Sequence, residues 1–138
     1  MYRFLEHPSE TMVEVRAPTE SEIFQDAAFA LFEVMTDTST VQHTLQFPVE
    51  LKSTERKLLL VDWLNRLIYL HETEDVFLAS FTVEVGHEEN TWRLRALVAG
   101  DRIGQNQERR SHVKSATYGM LEWFDDSSGH VARFILDI

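Results

Sequence analysis

The sequence predicts an α+β fold in which a mostly antiparallel sheet carries two helices packed on one side, and three observations predict it. Two stretches repeat their apolar residues at three- and four-residue steps, the spacing of a helix with one buried face. Nearly everything outside them alternates apolar and polar residues with period two, as strands with one covered face do. Turn-forming clusters join the later alternating segments directly, which favours antiparallel hairpins over crossovers.

In chain order, a short strand precedes Pro8, and the polar stretch Pro8-Ser9-Glu10-Thr11 separates it from a second strand in which Val13, Val15 and Ala17 alternate with Glu14 and Arg16. Thr19 with Glu22 three residues later matches a capping box. Phe24, Ala27, Ala28, Leu31 and Met35 then mark the first helix, about four to five turns long. Leu45, Phe47, Val49 and Leu51 form the next strand, and Pro48 places it at a sheet edge because proline donates no ladder hydrogen bond. The second helix is capped by Ser53 or Thr54. Its buried face is Leu60, Trp63, Leu64, Leu67, Ile68 and His71, widened by Leu59 and Leu70. Strands around Phe81, Val83 and Val85 and around Trp92, Leu94, Ala96 and Val98 flank a five-residue hairpin loop, Gly86 to Asn90. Val113 to about Phe124 and His130 to Asp137 form a second hairpin around Asp125-Asp126-Ser127-Ser128-Gly129.

With 138 residues, 43% apolar and 26% charged, the chain has ordinary globular composition, so one domain spanning 1–138 is expected. The net charge of −10 opposes tight binding to nucleic acid or to anionic membranes. Absence of cysteine removes disulfides, thiolate metal sites and cysteine nucleophiles, and leans towards a reducing compartment. Phe4 and Leu5 are the only adjacent strong apolar residues near the start, too few for a secretory signal. Apolar runs such as Leu58 to Val61 are far below the roughly 20 residues a spanning helix needs. A soluble, cytoplasmic protein is the expectation.

Most catalytic signatures are missing. Gly100 and Gly104 fit neither a P-loop nor a dinucleotide fingerprint, and the six histidines have no i, i+4 pair. No serine sits in a nucleophile elbow. Among the carboxylates, Glu10 and Asp137 would converge if the last strand paired near the first, beside the carboxylate of Ile138, and oxygen donors of this kind suit Ca²⁺ or Mg²⁺. On spacing alone each reads first as a solvated surface acid. Asp101 to Lys114 holds Arg102, Arg109, Arg110 and Lys114, either an anchor for an acidic partner or an ordinary loop. Asp62 lies on the solvent edge of the second helix or ties it to a strand. The Glu72-Thr73-Glu74-Asp75 end opposes the helix dipole and reads as a solvated turn or as a cluster facing a basic partner. The aromatics Phe81, Trp92, Trp123 and Phe124 read as core.

Several blocks, in order, carry a resemblance: Phe4-Leu-Glu-His-Pro-Ser-Glu10, Ala27 to Thr38, Leu59 to Leu70, Val113-Lys-Ser-Ala-Thr-Tyr118 and Ile135-Leu-Asp-Ile138. Through them the chain resembles the archease family along nearly its whole length. The resemblance implies a protein that is not an enzyme but assists the GTP-dependent tRNA-splicing RNA ligase. That ligase joins 2′,3′-cyclic-phosphate or 3′-phosphate ends to 5′-hydroxyls; the assistant promotes guanylylation of its histidine and multiple turnover. It also implies a divalent metal, calcium first with magnesium or manganese as alternatives, held by Glu10, Asp137 and Ile138, and a contact by Lys114 with the ligase or its nucleotide. Two positions depart from the family pattern: the opening motif ends in Glu10 rather than Asp, and Gly119 stands where the family has His after Thr-Tyr. The competing readings are a metal-dependent hydrolase, which would need a general base that no residue supplies, and a chaperone-like interaction module without ligase specificity.

Overall fold

The computed structural model describes residues 1–5, 10–105 and 107–138. The elements run β1 (Tyr2–Leu5), β2 (Glu10–Ala17), α1 (Glu20–Met35), a short 3-10 turn (Thr38–Thr40), β3 (Leu45–Ser53), α2 (Arg56–Glu74), β4 (Val76–Glu88), β5 (Thr91–Arg102), β6 (Ser115–Asp126) and β7 (Gly129–Asp137). All strand pairings are antiparallel, and the α+β class holds. The strands divide into two sheets, β1-β2-β7-β6 and β3-β5-β4, where the alternation suggested one. Alternation reports which face of a strand is buried, not which strand lies beside it.

Each helix packs on both sheets, α1 chiefly against β4 and β2 and α2 chiefly against β6 and β3, so the two helices and two sheets share one core. The buried face of α1 includes Phe24, Ala27, Ala28, Leu31 and Met35; that of α2 includes Leu59, Leu60, Trp63, Leu64, Leu67 and Ile68. The Trp63 indole N–H donates to the Phe24 carbonyl at 2.9 Å, which satisfies a polar atom in the core and fixes one helix against the other. Thr19 caps α1, its hydroxyl accepting from the Glu22 N–H. The cap of α2 is Glu55, with no side-chain bond to the helix, in place of the Ser53 or Thr54 expected. Pro48 sits on an edge strand, as its missing N–H requires.

Both hairpins are tighter than the sequence suggests. Glu88 pairs with Thr91, leaving Glu89 and Asn90 as a two-residue turn with φ of 49° and 64°. Positive φ at both central positions is the type I′ pattern, which matches strand twist, so the five-residue loop expected from Gly86 closes up. The second turn is Ser127 and Ser128, organised by Asp126, whose Oδ1 accepts from the Ser128 N–H and hydroxyl. Gly129 follows at φ +125°, where a Cβ would lie 2.7 Å from the Ala17 carbonyl oxygen. Only glycine fits that close approach.

Strand β6 is not continuous with Val113: it begins at Ser115, and its pairing with β7 breaks between Thr117 and Glu122, with Met120 at φ 57°. Phe124 is 38% exposed on the outer face, with the Arg133 guanidinium 5.5 Å from its ring, so it does not join the core. Phe81 is buried, and Trp92 and Trp123 pack against the core from its margin.

Candidate functional site

The pairing that spacing could not establish is present. Glu10 opens β2, not a loop between strands, and lies directly opposite Asp137 of β7; Asp137 in turn lies opposite Ser115 of β6. Directly opposed residues of antiparallel strands project to the same face with Cβ atoms about 5 Å apart, so two carboxylates and a hydroxyl share one row. Glu10 and Asp137 are half-buried, and Ile138, next in the chain, is 40% exposed. The Lys114 N–H donates to the Asp137 carbonyl at 2.8 Å, which fixes the approach to β6 against the end of β7. The Lys114 side chain is exposed. Glu6 to Ser9, the middle of the block that opens the resemblance, lie outside the described residues.

Opposed carboxylates repel in a row of this kind, and a hard cation between them reverses the sign of that interaction. The chemistry of the row fits such an ion, since Glu10, Asp137 and the Ser115 hydroxyl all offer oxygen. Among the described residues no three His, Cys, Asp or Glu side chains group closely enough to hold a metal, so side chains of those types supply only two donors. A cation here would need the Ser115 and Ile138 oxygens, or water, to complete its shell.

Two residues along the strands, Met12, Ile135 and Thr117 form the next row, and Ile135 is buried. Beyond it stands a charged row that the sequence does not advertise. Glu14 is only 1% exposed although it alternates with Val13 and Val15, because arginines cover it. Its carboxylate accepts from Nε of Arg3 at 2.8 Å, of Arg133 at 2.7 Å and of Arg16 at 3.2 Å. The Arg3 guanidinium above all, with Arg133 and Arg16, holds the Glu14 carboxyl down at about 2, against an ordinary 4.5. Arg16 continues to Asp126 at 2.6 Å and Arg133 to Glu122 at 3.5 Å, so the arginines are themselves neutralised. This row lies two rows along the same sheet face from the carboxylate row. Its only sequence signal is that three arginines fall on strands able to flank Glu14.

The remaining acidic and basic features take structural places. Asp62 is tied to a strand, accepting from the Tyr118 hydroxyl at 2.9 Å, and that bond raises the Tyr118 pKa. Asn65 bonds both the N–H and the carbonyl of Ala116, so α2 covers the free edge of β6 at its start. At the acidic end of α2, Asp75 adopts the left-handed cap and Arg102 donates to the Glu74 carbonyl at 3.2 Å, which offsets the unfavourable dipole. Arg110 is held by Glu33 and Glu108. Of the four cations between Asp101 and Lys114, only Arg110 is ion-paired among the described residues; Arg102, Arg109 and Lys114 are not.

Comparison with known proteins places these features in a family. The Archease protein family matches over residues 2–138. The chain is 39% identical to the protein archease of Methanothermobacter thermautotrophicus over 117 residues, 85% of this chain and 84% of that one. It is 33% identical to the protein archease of Methanosarcina mazei, covering 99% and 95% of the two chains. The solution structure of Methanobacterium thermoautotrophicum protein 1598 superposes with a TM-score of 0.89 at 35% identity, covering 99% of this chain and 98% of that one.

Proposed function

The chain belongs to the archease family, and from that premise we propose that it is a protein assistant of the GTP-dependent tRNA-splicing RNA ligase, promoting guanylylation of the ligase and its multiple turnover. The observation that supports this reading is the register of β2 with β7, which sets Glu10 opposite Asp137, two of the three residues implied by the family likeness. Glu10, Asp137 and Ile138 hold a divalent cation, calcium first and magnesium or manganese as alternatives. When bound, the ion supplies charge neutralisation between the carboxylates and links the chain end to β2.

The chain's own residues do the rest. The half-buried carboxylate row places its charge on a fixed sheet surface, the Glu14 and arginine row lies two rows along the same face, and exposed Lys114 offers a cation to the ligase or to its nucleotide. A net charge of −10 favours approach to a basic protein surface over approach to RNA. The chain carries no reaction of its own in this scheme and works in the cytoplasm. Among the described residues no helix is long and apolar enough to cross a membrane. Residue 10 keeps a carboxylate one methylene longer than the family's Asp, which preserves an oxygen site, and Gly119 contributes no side chain to the contact.

Multiple-turnover ligation by the ligase of the same organism tests the proposal. Wild type accelerates it, while a peptide extension after Ile138 that leaves the fold intact lowers the effect at least tenfold. Undiminished acceleration with the extension would remove Ile138 from the site.

A further inference from the structure

We propose that the solvent face of the β3-β5-β4 sheet binds a nucleoside 5′-phosphate, a site separate from the carboxylate row and independent of the ligase-assistant reading. The face is built in rows set by register. Lys52, Arg93 and Gly86 lie opposite one another across β3, β5 and β4; Glu50, Arg95 and Glu84 form the next row; Pro48, Leu97 and Thr82 the one after. Successive rows on one face are about 6.8 Å apart. The first two rows line an open groove of about 620 Å³, within the range of small-molecule sites.

The first row is an anomaly for an acidic protein. Lys52 and Arg93 are cations directly opposed across strands, a destabilising arrangement, and neither forms an ion pair among the described residues of a chain with 23 acidic side chains. Gly86 completes that row with no side chain, and a Cβ there would meet nothing within 4 Å, so the two cations face an open floor. That is the chemistry of a phosphate subsite. In the second row Arg95 already bonds Glu50 at 3.4 Å, whereas Glu84 makes no ion pair among the described residues. Two carboxylates at this distance from a phosphate suit the paired hydroxyls of a ribose, which donate to acidic oxygens. In the third row Leu97 is 44% exposed beside Pro48, an apolar surface for a base. A free phosphate would use only the first row, and an acidic peptide would meet repulsion from the second.

Calorimetric titration of the full chain with adenosine 5′-monophosphate, adenosine and inorganic phosphate is the test. The nucleotide saturates a single site, and adenosine and phosphate each bind at least tenfold more weakly. Lys52→Glu, Arg93→Glu and Gly86→Val each weaken the nucleotide at least tenfold without lowering the unfolding temperature; Glu84→Gln weakens the nucleotide and leaves phosphate unchanged; Lys57→Glu, an exposed cation outside the groove, has no effect. Equal affinity for phosphate and nucleotide would mean an adventitious ion only. That result, an equal loss in Lys57→Glu, or no saturable binding would each overturn the proposal.

Discussion

Glu14 concentrates more interaction in one side chain than any other acid described. Its carboxylate is closed off from water and held by three guanidinium groups, so its proton affinity is far lower folded than unfolded, about 2 against 4.5. A depressed carboxyl stabilises the fold fully above the unfolded value, and that stabilisation fades as pH falls from 4.5 towards 2. Glu14→Gln therefore lowers the urea-unfolding free energy by about 3 kcal/mol at pH 7, and the gap to wild type narrows as the measurement is repeated between pH 4.5 and 3. Gly129 is constrained differently, by backbone shape. With φ at +125° and the Ala17 carbonyl 2.7 Å from any Cβ, Gly129→Ala strains both the turn and the start of β7. Thermal unfolding should show a loss of about 2 kcal/mol, in contrast to Gly86→Ala, which adds its methyl to open space.

At the scale of elements, the two helices begin with unequal caps, and substitution should expose the inequality. Thr19→Ala removes the bond from the Glu22 N–H and costs about 1 kcal/mol, whereas Glu55→Ser supplies α2 with the side-chain cap it lacks and gains a similar amount, both read from chemical unfolding. The same contrast shows what local sequence can specify. Thr19 and Glu22 carry a capping pattern within four residues, and Pro48 declares an edge strand by its own chemistry, so both were legible. Helix faces were legible because their period is local. The division into two sheets was not, since it depends on which strands pair across long stretches of chain. Glu14 was misread for a related reason: alternation placed it on the outer face correctly, but its burial comes from Arg3, Arg16 and Arg133 on three strands. Glu10 and Asp137 lie at opposite ends of the chain, and their convergence was legible only through family likeness until the β2-β7 register placed them opposite one another.

For the whole molecule, the sheet ends bring acid against acid in a chain already at −10, so a cation bound there should stabilise the entire fold through linkage. Calcium at a hundred times its dissociation constant should add about 2.7 kcal/mol, seen as a rise in unfolding temperature over the EDTA-treated protein. Asp137→Asn should abolish that rise while melting near the EDTA-treated wild type. The overall charge of −10 favours a basic protein surface over RNA, because an acidic surface gains on meeting the former and loses on meeting the latter. The central claim is that the Glu10 and Asp137 row is what the ligase reads. The most direct measurement is the rate of ligase guanylylation from GTP, with no RNA present, using wild type, Glu10→Gln and Asp137→Asn at matched fold stability. Wild type should accelerate guanylylation and both variants should lose at least tenfold of that acceleration; variants as active as wild type, or a wild type without effect, would contradict the account.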